Sequence, residues 1–106
     1  MLENLMGLQI KDSEQYQLYR EAMLPLLTSC GGGFRYDFTI DQVLKSETGN
    51  PINRLFIIYF PDAEVKERFF NDPQYREIGS RYFDPSVASI TQIAEYTVET
   101  AVVGKP

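Results

Sequence analysis

Residues 53–82 read NRLFIIYFPDAEVKERFFNDPQYREIGSRY, and the opening run of this stretch decides the fold. Leu55-Phe56-Ile57-Ile58-Tyr59-Phe60 is an unbroken series of apolar and aromatic residues. It lacks the apolar-polar alternation that one water-facing side imposes on a strand, so it reads as a strand covered on both faces. Pro61-Asp62 stops the run, and charged residues then alternate with Val65, Phe69 and Phe70 in an amphipathic helix capped by Asp62. Asn71-Asp72-Pro73 interrupts that helix. Asp72, with Pro73 at the first helical position, starts a shorter one that turns Tyr75, Ile78, Tyr82 and Phe83 inward and closes at Asp84-Pro85.

Upstream, Leu5 to Ile10 reads as a first strand, with Gly7 at a close approach. Asp12 follows as a helix N-cap, with Gln15 at the reciprocal position of a capping box. Tyr16, Tyr19, Met23, Leu26, Leu27 and Cys30 recur at spacings of three and four and mark one helical face. Pro25 lies within this helix, and Gly31-Gly32-Gly33 ends it. Phe34, Tyr36, Phe38 and Ile40 alternate with Arg35, Asp37, Thr39 and Asp41, which predicts a strand with one apolar and one polar face. Residues 45–53, KSETGNPIN, are turn chemistry joining it to the central run as an antiparallel hairpin. Val87 to Tyr96 is the last strand, and the tail from Thr97 to Pro106 stays apolar at Val98, Ala101, Val102 and Val103.

The order β-α-β-β-α-β is the ferredoxin-like arrangement: an α+β fold with both helices on one face of a four-stranded antiparallel sheet. Helices cover one face of the central strand, so a second copy of the chain is expected to cover the other as a homodimer.

The bulk composition narrows the function. A chain of 106 residues makes one domain, residues 1–106, and 43% hydrophobic residues supply its core. The formal net charge of −5 and the absence of any Lys/Arg run disfavour nucleic acid and anionic membranes as partners. MLENLMGLQI lacks the basic start and cleavage site of a signal peptide, and no apolar run nears the roughly 20 residues of a membrane span. With a lone cysteine, Cys30, these features predict a cytoplasmic protein. The chain contains no histidine, which rules out Ser-His and Cys-His pairs and imidazole ligands for haem, zinc or iron. No metal and no cofactor is expected, although an oxygen-only site for Mg²⁺ or Ca²⁺ stays open.

Gly31-Gly32-Gly33 follows a helix and has no lysine after it, so it is a helix cap and not a phosphate loop. Cys30 sits where helix carbonyls disfavour a thiolate, and reads as a small buried hydrophobe. Glu64 and Glu67, with Lys66 and Arg68 between them, read as a solvated helix face. Four residues remain as ligand-binding candidates. Tyr19 either packs in the core with its hydroxyl at the surface or donates to a ligand in a cleft. Arg35 is either solvated on a sheet edge or able to bind a carboxylate bidentately. Arg54 is the other anion clamp, unless it is paired with one of the fifteen acids. Tyr59 would join Tyr19 and Arg54 in lining an enclosed cavity.

Tyr16 and Tyr19, Pro25, Gly31-Gly32, the strand from Arg54 to Phe60 with Pro61 after it, and Asn71-Asp72-Pro73-Gln74-Tyr75 together resemble the domain of unknown function 1330 family. The likeness spans Leu5 to Tyr96. It implies membership of the dimeric α+β barrel superfamily, in which two sheets face each other across a dimer and each subunit has a cleft between sheet and helices. It brings no established activity. The chain departs from the pattern in having Phe69-Phe70 where a helix tryptophan is expected, and Phe34-Arg35-Tyr36-Asp37 where relatives carry Arg and further glycines.

The reading is a small homodimeric protein that binds a small, partly apolar organic ligand in a sheet-helix cleft, with the tail from Thr97 extending onto the partner. Two alternatives stand beside it. One is a cofactor-independent isomerase or monooxygenase-like enzyme, and the other a self-association or partner-binding module with a filled cleft.

Overall fold

The computed structural model describes residues 1–99. Its elements follow the expected order: β1 (Leu2–Ile10), α1 (Ser13–Ser29), β2 (Gly33–Thr39), β3 (Arg54–Phe60), α2 (Ala63–Asn71), α3 (Pro73–Ile78) and β4 (Val87–Thr97), with a π-helical turn at Gly79–Phe83 between the last two. The strands form one antiparallel sheet ordered β2-β3-β1-β4, so the sequence neighbours β1 and β2 are separated by β3. β1 begins three residues earlier than its pattern suggested, because Leu2 to Asn4 pair with both Phe60–Ile58 and Thr97–Glu95.

Local chemistry sets the element ends. Asp12, Asp62 and Asp72 each accept a hydrogen bond from a backbone N–H in the first turn of the following helix. Gln15 does not complete a reciprocal capping box; its side-chain amide donates to the Arg81 carbonyl instead and ties α1 to the π-helical turn. Gly31 ends α1 with φ +86, a conformation that disfavours any side chain. A Cβ on Gly7 would lie 2.8 Å from Ile52 Cδ1, which is the close approach expected there.

One face of the sheet carries the core. Phe56, Ile58 and Phe60 from β3 and Leu8 from β1 are buried against Tyr16, Tyr19, Met23 and Leu27 of α1 and Phe69 of α2. The alternate residues of β3, Leu55, Ile57 and Tyr59, are half-buried on the other face.

β2 corrects the simple alternation. A register shift between Phe34 and Tyr36 puts Phe34 opposite Ile58 but Tyr36 opposite Ile57, on the other face. Phe34 therefore packs on Phe56 in the core, while Tyr36 and Phe38 stack on the open face, 60% and 50% exposed. The same shift carries Asp37, predicted on the polar face with Arg35, round to the helix side opposite Phe56. Of the C-terminal tail, Val98 exchanges backbone hydrogen bonds with Met1, and residues 100–106 lie outside the described part of the chain.

Candidate functional site

Between the sheet and the helices lies a cavity of about 540 Å³, within the range of small-molecule sites. Its floor comes from the helix-facing residues of β1, β3 and β4, and its roof from α1, α3 and the π-helical turn. The walls are mostly apolar, with Met6, Leu8, Met23, Phe56, Ile58 and Phe60 prominent. Three polar features interrupt them.

The first is a pair of phenols. Tyr19 on α1 and Tyr75 on α3 both line the cavity, and their hydroxyl oxygens are 2.7 Å apart. Burial, reinforced by the Tyr75 hydroxyl, pushes the Tyr19 phenol far above its ordinary value of 10.0. Burial raises Tyr75 as well, although the hydrogen bond with Tyr19 opposes it. Both are held as neutral donors.

The second is Asn4, on β1 and only 2% exposed. Lys66 Nζ lies 2.9 Å from Asn4 Oδ1 and 2.6 Å from Glu95 Oε2. Lys66 is thus not on a purely solvated helix face; it lines the cavity, and its ammonium bonds Asn4 of β1 and Glu95 of β4. Asn4 Nδ2 has no hydrogen-bond partner among the described residues.

The third is a charged cluster at the β2 side. Arg20 and Arg54 both engage the Asp37 carboxylate, Arg54 through two bonds of 2.8 Å and Arg20 through a closest contact of 3.0 Å. Arg20 also donates to the Tyr16 hydroxyl and lies over the Phe34 ring, 4.0 Å from its centroid. Burial alone would raise the Asp37 carboxyl, but hydrogen bonds from Arg54 and the charge of Arg20 outweigh it and hold the group below its ordinary 3.8. A depressed folded-state value stabilises above the unfolded value and is lost as pH falls through the folded one. Asp37→Asn is therefore expected to lower the denaturation midpoint at neutral pH, with the difference from wild type shrinking below about pH 4. Urea melts of both proteins across the acid range check this.

The four sequence candidates separate. Tyr19 lines the cavity. Arg54 faces the helix side but is committed to Asp37 and is not among the lining residues. Arg35 and Tyr59 lie together on the opposite face, with the Arg35 guanidinium 3.8 Å from the Tyr59 ring centroid and bonded to Glu3 at 3.0 Å. Strand parity places them there: Arg35 follows core-facing Phe34, and Tyr59 stands between core-facing Ile58 and Phe60. Asn4, Arg20 and Lys66 were not anticipated at the site, and Tyr75 was read as inward-facing but not as a ligand-binding candidate. An asparagine at an inward position of a strand was the one available signal.

Chemically the cavity offers donors: an amide N–H₂, a phenolic O–H and an ammonium. Its tyrosines are held protonated and the Asp37 carboxylate is engaged by two arginines, so the arrangement suits binding or polarising an acceptor more than abstracting a proton.

The family described as Domain of unknown function (DUF1330) matches residues 5–97. No curated protein matches the sequence. Among solved structures, the fold is similar to a protein of unknown function from Rhodopseudomonas palustris, at 16% identity and TM-score 0.76, covering 90% of this chain and 79% of that one. A dabb family protein with a ferredoxin-like fold from Mesorhizobium loti is similar at 14% identity and TM-score 0.65, covering 92% and 96%. A dimeric protein of unknown function and ferredoxin-like fold from Bacteroides fragilis is similar at 13% identity and TM-score 0.55, covering 92% and 95%.

Proposed function

The chain belongs to the domain of unknown function 1330 family, and from that premise we propose that it is a homodimeric protein binding a small, partly apolar organic compound in the cavity between sheet and helices. The observation that carries this reading is the cavity itself: about 540 Å³ of space with apolar walls, yet holding a buried asparagine amide and a pair of phenols. A module built only for association would fill such a cleft with side chains, because unfilled volume costs stability. Binding is preferred over turnover because the buried polar groups of the lining are donors, and the carboxylate among the lining residues, Asp84, is exposed to solvent.

The dimer part of the reading rests on the open face of the sheet. Leu5, Leu55, Ile57, Tyr36 and Phe38 surround a second, apolar hollow there, the last two well exposed. A second copy offers a matching apolar face related by a two-fold axis. The similar Bacteroides fragilis protein is dimeric. Among the described residues no helix is long and apolar enough to cross a membrane, and the net charge of −5 with one cysteine suits a cytoplasmic setting.

Met6→Trp tests the cavity. Met6 lies on the helix-facing side of β1 between Asn4 and Leu8, so a larger ring there projects into the cavity. A library of small aromatic and alicyclic compounds, screened by amide NMR shifts, is expected to yield hits whose affinity falls at least about tenfold in Met6→Trp. Hits that bind both proteins equally would place the site elsewhere.

A further inference from the structure

Resting on the reading of the cavity as a small-molecule site, we propose that its ligand is an uncharged carbonyl compound whose oxygen accepts a hydrogen bond from Asn4 Nδ2. The amide orientation at Asn4 is fixed by chemistry. An ammonium only donates, so the atom 2.9 Å from Lys66 Nζ must be the oxygen, and the nitrogen is turned away from it. That nitrogen is buried and has no acceptor among the described residues, in a residue that lines the cavity. A buried donor left unmade is costly, and natural proteins keep few of them. An acceptor brought by a ligand removes the cost.

The second polar feature points the same way. In the Tyr19–Tyr75 pair one hydroxyl donates to the other, which leaves one O–H without an acceptor among the described residues. The buried polar groups of the cavity therefore present unmet donors, and a carbonyl oxygen, which accepts only, matches them better than an amine or alcohol.

Charge argues against a carboxylate. Beside Asn4, Lys66 is matched by Glu95 at 2.6 Å, while Arg20 and Arg54 share the single Asp37 carboxylate at the β2 side. The remaining lining charges, Arg76 and Asp84, are exposed and opposite in sign. An anion accepting from Asn4 would therefore meet only a cation already matched by Glu95, and nothing there would offset its desolvation.

Three ring compounds of one size separate these possibilities: 1-tetralone, its hydrocarbon tetralin, and 1-tetralin-carboxylate. Titrated against the full-length protein by calorimetry and amide NMR, tetralone is expected to bind about three- to tenfold tighter than tetralin, and the carboxylate weakest. Asn4→Leu is expected to erase the tetralone preference while leaving tetralin binding in place. Asn4→Asp, which keeps the size and can pair with Lys66, lacks both N–H groups and should erase it too, so the reading does not depend on one variant folding. Equal affinity for tetralone and tetralin, a preference that survives both substitutions, or tightest binding of the carboxylate would overturn this proposal and leave the cavity reading standing. Binding of none of the three, with Met6→Trp indistinguishable from wild type across the wider library, would overturn both.

Discussion

Ile58→Asp is expected to leave no folded protein at room temperature, whereas Ile57→Asp, one position earlier, is expected to leave a folded monomer. Ile58 points into the core, 6% exposed beneath α1, and is opposite Asn4 and Phe34 in the sheet. An aspartate there has no partner and either carries an isolated charge or takes up a proton, at a cost of several kcal/mol. A domain of this size holds a total of about 5–15 kcal/mol, so little or none would remain. Ile57 points the other way, between Leu5 and Tyr36 on the open face. A charge at that position stays hydrated in the monomer and is desolvated only when a second sheet covers it. Light scattering behind size exclusion should give twice 12.2 kDa for the wild type and 12.2 kDa for Ile57→Asp, with unchanged far-ultraviolet circular dichroism. A wild type that runs as a monomer throughout the micromolar range would end the dimer reading. A folded Ile58→Asp would mean that the helix side of β3 is less tightly covered than its burial indicates.

The contrast between those two neighbours shows what could be read in advance and what could not. Six apolar residues in a row announced the central strand β3, and Asp62, Asp72-Pro73 and Gly31 punctuated the helices where their chemistry required. These are local signals, and each is set within one turn or one strand. The site is a different kind of object. Asn4 meets Lys66 across 62 residues, and Tyr19 meets Tyr75 across 56, so no spacing along the chain connects them. Asp37 was misplaced for a still smaller reason. One extra residue in β2 at Arg35 reverses which face every later side chain takes, and neither glycine nor proline marks the bulge. Tyr59 and Arg35 were rightly singled out as aromatic and basic residues near the sheet, but the parity of the strand sends them to the face opposite the cavity. There Tyr59 shields Gly33, where a Cβ would lie 2.5 Å from its hydroxyl oxygen.

Phe60→Ala carries the other large effect, because Phe60 is where stability and the cavity share a wall. Its side chain is fully buried at the end of β3, 5.5 Å centroid to centroid from Phe69 and 5.6 Å from Phe70. Phe69 and Phe70 in turn contact Tyr75 at 4.7 and 5.2 Å, so the ring cluster continues to the phenol pair. Removing the central ring forfeits its transfer energy and leaves a void, about 3–5 kcal/mol for this substitution in a packed core. The upper part of that range is expected, since the void opens next to an existing cavity and the neighbours on that side have nothing to collapse onto. Phe70→Ala serves as the control. Phe70 touches the same rings but is 36% exposed, and its loss should cost clearly less. Chemical denaturation of the three proteins at one concentration gives both numbers, the shared concentration being needed because the midpoint of a self-associating protein depends on it. Equal costs for the two substitutions would mean that ring contact, and not burial, sets the stability of this corner. A cost below about 1 kcal/mol for Phe60→Ala would mean that β3 does not anchor α2, and with that the ring cluster would no longer account for how the Tyr75 hydroxyl is held against Tyr19.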